Sequence, residues 1–476
     1  MAVGRTHAIA LLGLRGEVVE IEADYSGLLP RFVLIGLPDA ALGEARDRVT
    51  AAAANSGFDL PARRLTVNLS PAALPKQGSA FDLGIAVATL AAAGIIAGDS
   101  IERAVHLGEL GLDGRLRPTA GVLPAVSAAA AAGFDTVVVP TGDADEASLV
   151  PGIRVVGVSS LREAAIWHGA ELEPVVVEPI LRTPDPEPAD SALDLADVIG
   201  NREAVEAMIV AAAGGHHVFL LGPPGSGKTM LAARLPGLLP DLEPAEALEV
   251  SSVRSLAGLA VGSSLVRRPP LEAPHHTATS AALVGGGSRI IRPGAAARAS
   301  GGVLFLDEAP EFSSSVLDAL RQPLESGVIS VHRANAVAHY PGRFQLVLAA
   351  NPCPCGQYGD RDSQCTCTPA TRRKYLGRMS GPLLDRIDIQ LRVPRITSAQ
   401  LRVGADTERV STAAARERVV RARARAAERL TATPWRVNSQ VPGSWLRGPN
   451  VRLAPSTTSA LDRALERGGI SMRGYD

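Results

Sequence analysis

Apolar and polar positions divide the chain into two strand-and-helix blocks, a proline-rich break between them, and a helical end. In residues 1–171, strand-like runs such as Arg31-Phe-Val-Leu-Ile35 and Thr136-Val-Val-Val-Pro140 alternate with Ala-rich helical stretches such as Gly84 to Ala93. Residues 172–193 carry Pro174, Pro179, Pro184, Pro186 and Pro188 among acidic side chains, which predicts a linker without regular structure. Residues 194–394 form a second α/β block. Residues 395–476 are Ala- and Arg-rich and read as helical, with Arg416, Arg418, Arg421, Arg423, Arg425 and Arg429 in one run. The chain stops at Arg473-Gly-Tyr-Asp476 inside what reads as an opening helix, so this last block reads as truncated.

The phosphate chemistry sits in the second block. A strand, Phe219-Leu-Leu, runs into Gly222-Pro223-Pro224-Gly225-Ser226-Gly227-Lys228-Thr229 and then into a helix. Glycines at these spacings let backbone N–H groups converge on phosphate oxygens at a helix N-terminus. Lys228 then reaches the β- and γ-phosphates of ATP, and Thr229 ligates Mg²⁺. A second apolar strand, Gly302-Val-Leu-Phe-Leu, ends in Asp307-Glu308. Asp307 joins Thr229 at the Mg²⁺, and Glu308 orients and deprotonates the attacking water. A third, Phe344 to Ala350, ends in Asn351, placed to sense the γ-phosphate or to cap a turn before Pro352. Arg386, in Leu383-Leu-Asp-Arg-Ile-Asp388, either reaches a neighbouring subunit's ATP site or pairs with a flanking carboxylate. The first alternative implies a homo-oligomer.

Composition narrows the rest. A chain of 476 residues exceeds one core. A net charge of −1 leaves no global pull on nucleic acid or membrane. No apolar run reaches membrane-spanning length and no secretory cleavage pattern opens the chain, which predicts a cytoplasmic protein. The four cysteines, Cys353, Cys355, Cys365 and Cys367, are confined to one short stretch. They can form a closed, structural Zn²⁺ site, or remain thiols or a redox pair. Nearby, Arg372-Arg-Lys374 and Arg378 with Tyr375 make a basic run that either meets phosphates or is a solvated face.

These motifs resemble the magnesium-chelatase-like AAA+ family, in its ComM/YifB branch. Gly36 to Val49, Ala273-Pro-His-His-Thr-Ala-Thr-Ser280, Arg321-Gln-Pro-Leu-Glu-Ser-Gly327 and Asn351-Pro-Cys-Pro-Cys-Gly356 carry the resemblance across nearly the whole chain. It implies a P-loop AAA+ domain with a parallel sheet over 194–394, interrupted by the four-Cys insertion 353–367, and a helical C-terminal lid. It also implies that Arg386 is an arginine finger and Arg473 a second sensor. Two elements would line the pore of a ring, hexameric in the family's manner: an insert around Thr277–Ala299 and a hairpin over Gly327–Arg343. Arg289, Arg292, His332 and Arg333 are the DNA contacts this implies, with an exposed, solvated loop as the alternative.

Residues 1–171 resemble the Lon protease catalytic domain, an α+β fold, through Leu74 to Ile85 and Leu107-Gly-Glu-Leu-Gly-Leu-Asp-Gly-Arg-Leu116. The family's nucleophile falls near Phe81 or Asp82 and its lysine near Leu123, so Ser79 lacks a base and proteolysis is not expected. The expected function is a ring-forming ATPase that moves DNA and drives branch migration. The alternative is a protein remodeller like the chelatase motor, with residues 1–171 recognising a protein partner.

Overall fold

Burial along the strands shows how each block is layered. In the computed structural model, which describes residues 3–475 apart from 28, 37–38, 75, 77, 183–192, 288–290, 334–335, 360–363, 398–401, 403–408 and 450, β1 (Gly4–Leu12) and β2 (Arg15–Ser26) form an antiparallel pair. With β3 (Arg31–Ile35), β4 (Arg64–Ser70), β5 (Ala104–His106), β8 (Thr136–Pro140) and β9 (Arg154–Val158) they build a mixed seven-stranded sheet, order β3-β4-β2-β1-β5-β8-β9. Alternate residues of β4 are buried, as in a sheet with one covered face. The helix Asp82–Ala92, buried along its full length, fills that core. A small side hairpin joins β6 (Glu109–Leu110) to β7 (Leu116–Arg117).

The second sheet is parallel throughout. Its five strands are β10 (Val218–Leu221), β11 (Leu271–Glu272), β14 (Val303–Leu306), β17 (Gln345–Ala350) and β18 (Ile389–Arg392), in the order β11-β14-β17-β10-β18. β14 and β17 are buried at every position, because helices cover both faces of a parallel sheet. The strands are uniformly apolar for that reason. All run the same way, so the segments leaving β10, β14 and β17 gather at one edge, where ligands bind in open α/β sheets.

Two hairpins project from this sheet. One joins β12 (Gly285–Gly286) to β13 (Arg292–Pro293), and the other joins β15 (Val328–Arg333) to β16 (Ala336–Pro341). The helix Thr412–Arg429 packs on the helices Arg202–Gly214 and Lys228–Leu238 through Ala415 and Val419. Its arginines are occupied on this chain: Arg416 with Asp241 and Arg418 with Glu206, each at 2.7 Å, and Arg423 on the Ala212 carbonyl.

The described part of the expected linker, residues 172–182, holds no helix or strand. It is bound to the first block. Asp143 and Glu146 are buried there, and Arg182 closes on Asp143 at 3.0 Å, on Glu146 at 3.8 Å and on the Thr119 carbonyl. Buried carboxylates need a cation, and the segment supplies one. Proline content foretold the lack of helix or strand but not this anchor.

The two blocks also touch directly. Gly121 N–H donates to the Ser255 carbonyl at 2.9 Å, and Leu123 N–H to the Ser255 hydroxyl at 3.3 Å. Leu11, Leu12 and Leu14 pack into the second block's core. At the turn between them, Gly13 (φ +64°) lies so near β16 that a Cβ would stand 2.7 Å from the His339 carbonyl oxygen. The first block therefore grips the β15–β16 hairpin.

Candidate ATP site

The phosphate loop leaves β10 against β18: a Cβ on Gly222 would meet the Val393 carbonyl oxygen at 2.1 Å, so only glycine passes there. Gly225 and Gly227 take positive φ angles of 75° and 91° and turn the chain into the helix Lys228–Leu238. No side chain caps that helix, which leaves its first N–H groups and its positive dipole end to an anion. The Ser226 hydroxyl, buried beneath the loop, has no partner.

Lys228 lies folded back in the loop. Its Nζ donates to the Gly222 and Pro223 carbonyls at 2.7 and 3.0 Å and to Asn351 Oδ1 at 3.2 Å. Burial lowers its pKa, while Asp307 and Glu308 pull the other way. An incoming γ-phosphate would replace these neutral acceptors with a charged one, the stronger bond.

Thr229 Oγ1 donates to Asp307 Oδ2 at 2.7 Å, so the hydroxyl and carboxylate expected at Mg²⁺ already stand together. This oxygen donor set fits a hard cation. Bound with ATP, Mg²⁺ would neutralise charge on the β- and γ-phosphates. The Glu308 N–H donates to Asp307 Oδ1 at 2.9 Å and fixes that side chain. Glu308 itself takes φ +51°, a left-handed conformation that costs on the order of 1–3 kcal/mol and clusters at functional sites. Its carboxylate is exposed, facing His276 Nδ1 at 3.4 Å.

Two participants were not read from the sequence. His276 lies within the quoted Ala273–Ser280 stretch, but nothing in its spacing points at Glu308. Asn201, at φ +24°, donates from Nδ2 to the Ser226 and Pro394 carbonyls at 3.3 and 3.4 Å and props the loop from outside. The Gly200-Asn201 pair before a helix was its only signal.

Arg386 stands apart from this chain's phosphate loop. Its guanidinium pairs with Glu325 at 2.8 Å and donates to the Pro382 carbonyl at 2.7 Å, while its buried Nε has no partner. Neither flanking carboxylate holds it. Asp388 instead takes His216 at 3.2 Å and Arg473 at 3.7 Å. Arg473, expected as a second sensor, stands beside Asp388 rather than beside this chain's phosphate loop. Asp388 precedes β18, at the sheet edge opposite the phosphate loop, and draws the guanidinium there.

Of the implied DNA contacts, Arg289 lies outside the described residues. Arg292, His332 and Arg333 are exposed. Arg292 and Arg333 come together: Arg292 pairs across β12–β13 with Gly286, where a Cβ would stand 3.1 Å from an Arg333 guanidinium nitrogen. Both line a cavity of about 610 Å³ that also contains Ser79 and Glu109. The basic run divides differently. Tyr375 is buried, Arg378 bonds Pro310 and Glu311, and Arg372 stacks over Tyr358 at 3.6 Å.

In the first block, the Ser79 hydroxyl donates to Glu109. Lys76 is spent on the Pro71 and Leu74 carbonyls, and Leu123 is fully buried. Asp82 accepts Arg48 at 2.6 and 3.1 Å, and burial pushes its carboxyl up to about 6. An ion pair thus occupies the position that the Lon resemblance gives to the nucleophile.

The four cysteine sulfurs lie within 4.8 Å of one another. Cys353 is 3.2 Å from Cys355 and 3.7 Å from Cys365, and Cys355 is 3.6 Å from Cys365 and 3.5 Å from Cys367. Zn–S bonds of about 2.3 Å in a tetrahedron give S···S edges of about 3.8 Å. A bond from the Gln357 N–H, with the Cys353 thiol, draws Cys355 down to about 7, while burial pushes the Cys365 thiol up.

The described residues contain no helix long and apolar enough to cross a membrane. Three family profiles match the chain: subunit ChlI of Mg-chelatase over residues 21–143, magnesium chelatase subunit ChlI over 194–401, and its C-terminal part over 409–476. An uncharacterized protein of Mycobacterium tuberculosis is 51% identical over 100% of this chain and 93% of its own length. Competence protein ComM of Haemophilus influenzae is 40% identical over 100% of this chain and 92% of its own. Protein YifB of Escherichia coli is 38% identical over 100% and 91%. With its phosphate loop, paired carboxylates and parallel sheet, the chain belongs to the magnesium-chelatase-like AAA+ ATPases, in their ComM/YifB branch.

Proposed function

We propose that this chain is one subunit of a ring, of hexameric order, in which ATP hydrolysis drives translocation along DNA and branch migration. Lys228 binds the γ-phosphate, Thr229 and Asp307 hold Mg²⁺, Glu308 takes the proton of the attacking water, and Asn351 registers the γ-phosphate. Arg386 exchanges Glu325 for the phosphate charge of an adjacent subunit. The four thiolates hold a structural Zn²⁺, a state that persists in a reducing cytoplasm.

The burial of Tyr340 carries the choice of DNA over polypeptide. Threading a protein calls for an exposed aromatic grip, and Tyr340 is the aromatic of the two projecting hairpins. It is 1% exposed and donates its hydroxyl to the Ile291 carbonyl at 2.8 Å. The hairpins offer Arg292, His332 and Arg333 to solvent instead, cations suited to a phosphate backbone. This weighs against a protein remodeller.

The test follows a labelled four-way junction through ATP-dependent branch migration. Wild-type protein is expected to resolve the junction and the Arg292→Ala/Arg333→Ala double variant to fail, with basal ATP hydrolysis kept by both. Migration undiminished in the double variant would remove these arginines from the DNA path.

A further inference from the structure

The four-thiolate hairpin is not a remote insertion. Cys353 is two residues beyond Asn351, the side chain that accepts from Lys228. The turn closes with Gly356 N–H donating to the Cys353 carbonyl at 2.9 Å. At that turn Gly356 (φ +76°) lies on the phosphate loop: a Cβ would stand 2.6 Å from the Pro224 ring and 4.0 Å from Asn351 Cγ. Beyond Cys367, Thr368 caps the helix Pro369–Leu376, accepting from Thr371 N–H. That helix returns buried Tyr375 to the neighbourhood of the Asn351 backbone. Both ends of the cysteine segment thus abut Asn351, and its turn abuts the phosphate loop.

We propose that a thiophilic divalent cation, Zn²⁺, held by Cys353, Cys355, Cys365 and Cys367 positions Asn351 and Pro224, so that ATP turnover depends on metal occupancy. Arg372 stacks over Tyr358 within the segment at 3.6 Å. Between its cysteines the described residues form turns without strand or helix, Cys355 is exposed, and Cys353 alone of the four is buried. A metal joining all four sulfurs removes that freedom, as a cross-link does, at the point where the chain touches Asn351. Misplacing a side chain at the γ-phosphate by about 1 Å costs on the order of a hundredfold in rate. The cysteines are positioning residues, since they touch no substrate. The inference rests on the zinc reading above and not on the DNA reading, so its test contains no DNA.

Zinc content and basal ATP hydrolysis are measured separately on the whole protein. The purified chain is expected to hold one Zn²⁺, and removing it with a chelator under reducing conditions to lower kcat about tenfold or more. KM for ATP changes less, because Gly225, Gly227 and Lys228 still hold the phosphates. Adding Zn²⁺ back restores the rate. A chain that takes up no Zn²⁺ overturns the metal site itself. A zinc-free chain, folded by circular dichroism and turning over at the original rate, leaves the zinc reading intact and overturns the coupling. Should the zinc-free chain unfold, Gly356→Ala decides: it keeps all four thiolates but drives a methyl into Pro224. It is expected to retain Zn²⁺ and lose turnover, and an unchanged kcat with Zn²⁺ bound would overturn the proposal.

Discussion

Glu308→Gln is expected to lower kcat by a factor on the order of 10²–10⁴, the usual contribution of a positioned general base, while ATP still binds. The amide keeps the shape and the left-handed backbone of Glu308 and removes only the basic oxygen. Lys228, Thr229 and Asp307 do not depend on that oxygen: Lys228 rests on Gly222, Pro223 and Asn351, and Asp307 is fixed by the Glu308 N–H, which glutamine retains. Single-turnover hydrolysis with a fluorescent-nucleotide binding assay separates the two effects. Loss of binding along with rate would give Glu308 a structural role. Unchanged kcat would place the base elsewhere, with His276, 3.4 Å from Glu308, the group to examine.

Arg386→Ala carries the second large effect, because it tests whether the site is completed by a neighbour. Within one chain Arg386 has no route to the phosphate loop and sits on Glu325. An arginine supplied across an interface accounts for about 10³–10⁵ in turnover in related phosphoryl transfers, so a loss near the lower figure is expected. Mixing gives the sharper readout. Arg386→Ala and Lys228→Ala chains, each inactive alone, are expected to recover activity together, because some interfaces pair an intact loop with an intact arginine. A mixture no more active than its parts would mean that Arg386 serves only its own chain, and the ring reading would lose its main chemical support.

What the sequence disclosed was local. Gly222 to Thr229 dictates its own backbone, since glycines at fixed spacing and a lysine at a helix start admit few geometries. The strands ending in Asp307 and Asn351 were legible because a parallel sheet buries them on both faces and so writes them as unbroken apolar runs. The contacts that were missed are those a side chain chooses after folding. Arg182 was invisible as the partner of Asp143 because proline and acid content describe a segment's flexibility, not its docking. Arg473 reads as a sensor by motif, and on this chain it stands 3.7 Å from Asp388 at the far sheet edge. Tyr375 was the one aromatic within the basic run, and the fold buries it. The cysteines were the reverse case: the C-x-C spacing left coordination open, and the fold gathers all four sulfurs within 4.8 Å of one another.

The central claim, an ATPase that works on DNA, is tested most directly by the steady-state rate of ATP hydrolysis of wild-type protein with and without single-stranded and four-way-junction DNA. The account predicts a severalfold rise in rate with DNA, absent from Glu308→Gln and blunted in Arg292→Ala/Arg333→Ala. Hydrolysis that proceeds steadily and ignores DNA of either form would contradict it.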